Sequence, residues 1–354
     1  MSAVVAAVGV VLILVSVLDL GWTTVAAGSG AGPVTSRMAS GIWQVALGLH
    51  RRRESHQLLS VAGVITVFAV LGAWIVLAVI GWLLVFASSD GAVRASDTGA
   101  PASFVERIYF VGYTVFTLGN GDYAPGLGVW QLATVLATGT GLVLVTLAIT
   151  YLVPVASAVA QRRQLASYIA SLGTAPDDIL IRSWTGSGFG LLAQHFVALT
   201  PLVHGARQRH FTYPVLHYFH SRDRESAAAP NIANLAEALH LLGHGVASDV
   251  RPDRGATTAL DNAIGSFLDT LTHAYIAPAD RPLPPPTLDG LRRVGIPTVD
   301  DDHYGAAAAT ATHRRSLLAG MLDDDGWTRK ERRQRDDDRP DEQCGRARRR
   351  RTRG

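Results

Sequence analysis

The fold of this chain is decided by the short stretch Thr117-Leu118-Gly119-Asn120-Gly121-Asp122-Tyr123. Two of its glycines lie one residue apart, and glycine adopts a left-handed backbone conformation without a Cβ clash. When the handedness of successive residues alternates, their carbonyl groups turn to the same side. A ring of such strands presents stacked oxygens that can replace the hydration shell of a cation. The stretch therefore predicts a non-helical segment that can bind cations.

Long apolar runs lie on both sides of this stretch, at residues 58–87 and 129–160, and each is long enough to cross a bilayer. Residues 104–116, just before the glycines, are aromatic and β-branched, and they are too few to span a bilayer. Non-helical backbone at membrane depth must be buried in protein or line a watery cavity. The order of segments thus predicts a helix, a loop that enters the membrane and turns back, and a second helix.

This arrangement resembles the potassium-channel pore-domain family, whose filter reads Thr-Val-Gly-Tyr-Gly-Asp. The positions that match are Thr117, Gly119, Gly121 and Asp122. Leu118 is a mild change, whereas Asn120 stands where the family has Tyr or Phe. The resemblance implies an all-α membrane protein with a pore-loop cation-channel fold, and the implied parts are the outer helix 58–87, pore helix 104–116, filter 117–122 and inner helix 129–160. Because the chain holds one pore unit, we expect a homotetramer.

Asn120 raises the question of what supports the filter. In the family, the aromatic residue at this position packs outward against the pore helices and holds the filter open. An asparagine amide has to hydrogen-bond instead, to Tyr109 or to Tyr113. We predict that Tyr109, Tyr113 and Thr114 support the filter. A channel that discriminates poorly between sodium and potassium remains an alternative.

The inner helix carries two residues that a gate could use. Gly141 stands at the same distance after the filter as the hinge glycine of the family, although close packing between helices is an equal explanation for a small residue there. Pro154 removes a backbone hydrogen bond and is expected to kink the helix near its inner end. No span carries arginine at every third position, so we expect no voltage sensor of the usual kind.

Residues 1–22 are predicted to form a further membrane helix, and residues 23–57 a cytoplasmic loop that contains an amphipathic helix at the interface. Arginines at 51–53 and 162–163 mark the cytoplasmic side of the membrane. We therefore expect a multi-pass protein of the cell membrane, with its N-terminus outside and its C-terminal domain in the cytoplasm. For Asp19 we favour an interfacial residue in contact with headgroups or water over an acid that faces the helix bundle.

The chain after the inner helix is predicted to be a helical cytoplasmic domain at 161–280, then a proline-rich linker and amphipathic helix at 281–322. A disordered charged tail is predicted at 323–354. Two apolar stripes predict helices in the domain: Ile232, Leu235, Leu239, Leu242 and Val246, and then Leu260, Ile264, Phe267, Leu271 and Tyr275. The glycines between 186 and 190 do not match a dinucleotide fingerprint, and the ligand of this domain stays open.

Histidine pairs at 217/220 and 240/244 have the one-turn spacing that suits metal capture, although hydrogen-bonded histidines are the simpler expectation. A membrane-anchored metal sensor or enzyme is therefore the alternative from another class. The single cysteine, Cys344, excludes an internal disulfide. We expect no enzymatic activity, no nucleic-acid partner, and no cofactor or metal beyond the permeating cations. Membrane lipids are the expected partners, with the arginine-rich tail either on anionic headgroups or in solvent.

Overall fold

The computed structural model describes residues 2–25, 30–53, 55–273 and 275–327. Its α-helices are α1 Ser2–Val25, α2 Pro33–Arg53, α3 His56–Ala87, α4 Phe104–Val115, α5 Val129–Leu172, α6 Pro176–Ser183, α7 Leu192–Thr212, α8 Ala228–His244, α9 Arg254–Thr272, α10 Asp289–Arg293, α11 Asp301–Thr310 and α12 Thr312–Asp324. Two short strands, β1 Val93–Ala95 and β2 Tyr123–Pro125, form an antiparallel pair. The predicted all-α membrane fold is confirmed, with this small pair as an addition.

Among the residues that the structure describes, three helices are long and apolar enough to cross a membrane, and they lie within α1, α3 and α5. The helix α5 continues twelve residues past the predicted end at 160, because Leu165 and Ile169 carry a buried apolar stripe beyond the membrane-like run. It is one continuous helix through Pro154. The helix α2 is not among the three candidate spans, as its mixed sequence indicated.

The chain divides into two compact units, and the division does not match the single predicted domain at 161–280. The first unit holds Met1–Leu165 and Leu202–Arg222, and the second holds Ala166–Pro201 and the chain from Asp223 onward. The segment Leu202–Arg222 belongs to the first unit because a 3-10 helix, Pro214–Tyr218, buries its apolar side chains there. Val215 and Leu216 join a core that includes Tyr151 of α5 and Trp43 of α2.

The N-terminal helix α1 packs closely on α3. A Cβ added at Gly9 would meet the carbonyl oxygen of Gly81, so the two backbones approach within the space that only glycine leaves. Nearer the other end of α1, the Ser16 hydroxyl donates a hydrogen bond to the carbonyl oxygen of Trp74 at 2.7 Å. These contacts fix the extra helix against the outer helix of the pore.

The expectation that Asp19 contacts headgroups or water is wrong. Asp19 is only 3% exposed, and its carboxylate accepts hydrogen bonds from the backbone of Val34 at 2.7 Å and from the backbone and hydroxyl of Thr35 at 3.2 and 2.6 Å. The indole of Trp74 donates to it at 2.9 Å. The acid of α1 thus caps the N-terminus of α2, where unpaired backbone N–H groups and the helix dipole favour a negative charge.

The second unit is helical, and the predicted stripes are buried in it on α8 as far as Leu242 and on α9 as far as Leu271. The last member of each stripe lies beyond its helix, where Val246 is buried and Tyr275 is half-buried. The last part of the second unit differs from the prediction. The single amphipathic helix expected before residue 322 is two helices, α11 and α12, which meet at Ala311. Order also continues beyond the predicted boundary at 323, because α12 reaches Asp324 and the Trp327 ring is 5% exposed. The remainder of the predicted tail, 328–354, lies outside the described residues.

Candidate functional site

The pore helix α4 is fixed at its first turn by a capping box. The backbone N–H of Ser103 donates to the Glu106 carboxylate at 2.7 Å, and the Ser103 hydroxyl accepts from the Glu106 N–H at 3.4 Å. At the other end, the carbonyls of Tyr113 and Thr114 accept hydrogen bonds from the N–H groups of Leu118 and Thr117 at 2.8 and 3.1 Å. These two hydrogen bonds therefore fix the direction in which the chain leaves α4 and enters the glycine stretch.

The backbone of that stretch alternates in handedness as the sequence predicted. Thr117, Gly119 and Gly121 have φ values of 59°, 60° and 84°, whereas Leu118 and Asn120 between them do not have positive φ. For Thr117, a β-branched residue, this conformation is strained, and such strain persists only where the surroundings enforce it. Successive carbonyls can therefore face the same side over this stretch.

The carbonyl groups of the stretch fall into two sets. Within the described part of the chain, no hydrogen bond ends on the carbonyl oxygens of Thr117, Leu118, Gly119 or Asn120. The next two carbonyls are occupied, because Ser96 donates to Gly121 at 2.6 Å through its hydroxyl and to Asp122 at 3.0 Å through its backbone N–H. Four consecutive oxygens are thus left to coordinate a ligand.

Two tyrosines of α4 hold the outer part of the stretch. The Asn120 amide donates to the phenolic oxygen of Tyr109 at 2.6 Å, and this phenol donates to the Asp122 carboxylate at 2.8 Å. The Tyr113 hydroxyl donates to the carbonyl of Tyr123 at 2.6 Å. The amide of Asn120 is therefore paired with the first of the two tyrosines that the sequence offered, and the carbonyl of the buried Thr114 accepts the hydrogen bond from Thr117.

Ser96 and the strand before it were missed by sequence reasoning, which predicted no element between the outer helix 58–87 and the pore helix 104–116. Ala95 of β1 pairs with Tyr123 of β2, directly after the glycine stretch. The available signal was the apolar pair Ala92 and Val93 inside an otherwise polar loop, and both residues are fully buried. A three-residue strand is too short to show a reliable alternation.

Acidic groups surround the outer end of the stretch. A hydrogen bond with Glu106, together with partial burial, raises the pKa of Tyr123 to about 12. The pKa of Glu106 is lowered, first by the backbone N–H of Ser103 and then by the Tyr123 hydroxyl. The carboxylate is therefore charged and the phenol neutral at pH 7. Together with Asp122, Glu106 makes this end negative, which raises the local concentration of cations.

The predicted hinge glycine has a packing role. A Cβ at Gly141 would overlap the carbonyl oxygen of Val115, the last residue of α4, so α5 crosses the end of the pore helix at van der Waals distance. Gly139, two residues earlier, has open space around it. The hinge functions of Gly141 and Pro154 remain predictions.

The inner end of α5 is held by the segment that returns from α7. Arg162 donates to the carbonyl oxygens of Leu216 and Phe219 at 2.7 and 3.0 Å. At the next residue, the Nε2 atom of His220 lies 2.9 Å from the Nδ1 atom of His56. His220 thus pairs with a residue of α3, and its predicted partner at position 217 packs on Tyr218.

The second unit holds the other predicted histidine pair. The ring centroids of His240 and His244 lie 4.7 Å apart. Burial first, and then the charge of nearby Arg315, lowers the pKa of His240 to about 4. Among the residues the structure describes, no group of three or more His, Cys, Asp and Glu side chains is placed to hold a metal ion.

Comparisons with known proteins agree with this geometry. The profile of a protein family described as "Ion channel" matches residues 64–158. The chain is 34% identical over 292 residues to "Uncharacterized membrane protein YdjJ" of Bacillus subtilis (strain 168), an alignment that covers 82% of this chain and 85% of that protein. No solved structure matches the chain significantly. Residues 64–158 therefore belong to the ion-channel family of potassium-channel pore type, in which two membrane helices flank a re-entrant loop, and α1 is an additional N-terminal helix that is apolar and long enough to cross a membrane.

Proposed function

We propose that this protein is a potassium-type channel, which passes monovalent cations down their gradient through a tetrameric filter of backbone carbonyls. The observation that carries the proposal is the alternating backbone of Thr117–Gly121, with four consecutive carbonyls that accept no hydrogen bond within the described chain. Oxygen ligands without competing partners can replace the water molecules around a dehydrated cation.

The exposure of the filter in a single chain supports assembly around a symmetry axis. Leu118 is 69% exposed, although it follows a pore helix that lies between two apolar spans. On α4, Val105 is 72% exposed, and on α5, Leu132 and Leu136 are 61% and 55% exposed. Large apolar side chains on the pore-forming helices need cover from lipid or from neighbouring subunits. Four copies place the carbonyls of four chains around one cation path.

The second candidate function is a channel that discriminates weakly between sodium and potassium. It is favoured by Asn120, whose amide replaces the packing of an aromatic ring. The hydrogen bond to Tyr109 opposes it, because a paired amide restrains the strand. A membrane-anchored metal sensor or enzyme is the weaker alternative. Neither activity needs an alternating backbone whose carbonyls accept no hydrogen bond.

We propose that the N-terminus lies outside and the second unit in the cytoplasm. The basic C-terminal end of α2, with Arg51, Arg52 and Arg53, supports this orientation, as do Arg162 and Arg163 on α5. A single cysteine placed at Ser89, in a Cys344→Ser background, should react with a membrane-impermeant maleimide in sealed cells. Labelling there only after permeabilisation would reverse the proposed topology.

Ion flux through the purified protein in liposomes tests the function. Vesicles loaded with potassium should release it through the wild-type protein, and potassium gradients should drive faster flux than sodium gradients. Equal flux for the two ions supports the weakly selective candidate. Absence of flux for both ions, with the protein correctly inserted, would refute the channel proposal.

A further inference from the structure

One exterior residue ends the stack of available carbonyl oxygens. Ser96 makes two hydrogen bonds to consecutive residues after the filter, with its hydroxyl 2.6 Å from the Gly121 oxygen and its N–H 3.0 Å from the Asp122 oxygen. Because both carbonyls are turned to the exterior loop, they cannot face the path that the four preceding carbonyls line. The outer boundary of the stack therefore lies between Asn120 and Gly121.

Gly121 alone would not keep its carbonyl oxygen turned away from the ion path. Its φ of 84° lies in the region that glycine enters without strain, and a Cβ built on it would contact nothing within 4 Å. A glycine peptide in open space can rotate its carbonyl at little cost. If the Gly121 carbonyl turned toward the path, it would add a fifth layer of oxygens from each chain, and selectivity depends on the number and field of those oxygens.

The platform that carries Ser96 is well fixed. It follows β1 directly, and β1 pairs with β2 in a register that sets Ala95 opposite Tyr123. The Gly126 N–H donates to the carbonyl of Ala92 at 2.9 Å, and the Ala95 N–H donates to that of Ala100 at 2.9 Å. The serine is thus presented to the filter by hydrogen-bonded backbone on both sides of the contact.

The base of the loop is also attached to the pore helix. Arg107 of α4 donates through Nε to the carbonyl of Ala102 at 3.0 Å, and its Nη2 lies 3.2 Å from Asp90. The Arg107 side chain is buried, at 9% exposure. The loop and the pore helix therefore hold the filter from two sides, Ser96 from the exterior and Tyr109 from the helix.

We propose that Ser96 is a positioning residue that keeps the Gly121 carbonyl out of the ion path and so sets the selectivity of the filter. This role rests on the proposed conduction through Thr117–Gly121. Ser96 does not touch the ion, and it acts only through the orientation of one peptide group.

The test compares Ser96→Ala with Ser96→Thr in liposome recordings of bi-ionic reversal potential. Losing one net hydrogen bond should raise the sodium-to-potassium permeability ratio of Ser96→Ala by roughly threefold to tenfold. Ser96→Thr keeps the hydroxyl and should restore the wild-type ratio. Ser89→Ala is the matched control, because Ser89 belongs to the same loop. Its hydroxyl makes no hydrogen bond within the described chain.

The possible outcomes distinguish the positioning role of Ser96 from the proposed channel function on which that role rests. A wild-type ratio in Ser96→Ala, from a protein that conducts and elutes as the wild type does, overturns the positioning role alone. An equal change in Ser96→Ala and Ser89→Ala also overturns it, because it indicates a general effect of the loop. A wild-type protein that carries no flux refutes the proposed function and this role with it.

Discussion

The amide of Asn120 and the phenol of Tyr109 lie 2.6 Å apart, and the same phenol donates to Asp122 at 2.8 Å. One hydroxyl thus joins two residues of the proposed filter to α4. At the position where the related family has an aromatic ring, this protein has two consecutive hydrogen bonds, from Asn120 to Tyr109 and from Tyr109 to Asp122. The stiffness of the filter should therefore depend on hydrogen bonds more than on packing.

Tyr109→Phe should raise sodium permeability relative to potassium. The substitution keeps the ring and removes both hydrogen bonds, each with a net contribution of roughly 0.5–1.5 kcal/mol. Reversal potentials under bi-ionic conditions measure the effect. Tyr168→Phe is the matched control, because it removes a hydroxyl that contacts His195 in the second unit. Equal permeability ratios in the two variants would show that Tyr109 does not support selectivity.

Asn120→Tyr, which restores the family residue, should strengthen the preference for potassium if the hydrogen-bonded filter is softer than a packed one. A wild-type channel that already excludes sodium as well as this variant would show that the amide holds the strand rigidly.

Gly121→Ala should abolish flux while leaving assembly intact. A left-handed conformation costs an L-residue roughly 1–2 kcal/mol, so the peptide is expected to leave it and turn a carbonyl out of place. Gly186→Ala is the control, since Gly186 also has a positive φ, 98°, with open space around it, and lies in the second unit. Normal flux in Gly121→Ala would refute the assignment of the filter.

Gly141→Ala and Gly139→Ala separate packing from flexibility in the inner helix. Alanine at 141 meets the Val115 carbonyl and should lower the thermal stability of the protein in detergent, whereas alanine at 139 enters open space and should not. A hinge at 141 predicts instead a change in open probability at unchanged stability. Single-channel recording together with a melting curve for each variant distinguishes these results.

Asp19→Asn should destabilise the first unit. The amide nitrogen cannot accept the hydrogen bonds that the carboxylate receives from α2 and Trp74, and a buried unpaired donor costs roughly 1–3 kcal/mol. The melting temperature in detergent should fall, and Asp249→Asn, on an exposed 3-10 turn, should leave it unchanged. Equal melting temperatures would indicate that the cap of α2 is dispensable.

The pKa of His240 predicts an acid sensitivity in the second unit. Because the folded-state pKa is about 4, below the ordinary 6.5, the unfolded chain binds this proton more readily. The contribution of neutral His240 to stability is complete above pH 6.5 and is lost as the pH falls toward 4. His240→Asn should flatten the pH dependence of unfolding in this window, while the exposed His313→Asn should follow the wild type. Identical pH profiles for all three proteins would contradict the burial argument.

The apolar spans and the alternating backbone of the glycine stretch could be predicted because each has a local signal in the sequence. Apolar length identifies α1, α3 and α5, and the spacing of Gly119 and Gly121 identifies alternating backbone. The partner of Asn120 was narrowed to two tyrosines because both belong to the segment just before the glycine stretch and carry a hydroxyl. In contrast, the contacts of Ser96 and Asp19 join residues that are distant in sequence, and a single serine or aspartate carries no pattern that names its partner.

The same limit explains why the two compact units differ from the predicted domain at 161–280. The apolar residues of Pro214–Tyr218 are too few to show a helical period, so nothing in the sequence assigned them to the first unit. The end of the ordered chain was set too early for a similar reason. The acidic run at 323–325 is typical of a solvated tail, yet it precedes the buried Trp327.

The return of Leu202–Arg222 to the first unit also determines how the protein can be divided. A truncation at residue 161, just after the predicted end of the inner helix, cuts α5 and removes Val215 and Leu216 from the core of the first unit. It also removes Arg162 together with the carbonyls to which that side chain donates. A fragment that starts at 164 carries that apolar segment without its partners. Each unit is built from two separate stretches of chain, so isolating the second unit requires three cuts, near 165, 201 and 222, and a fusion that joins residue 201 to residue 223.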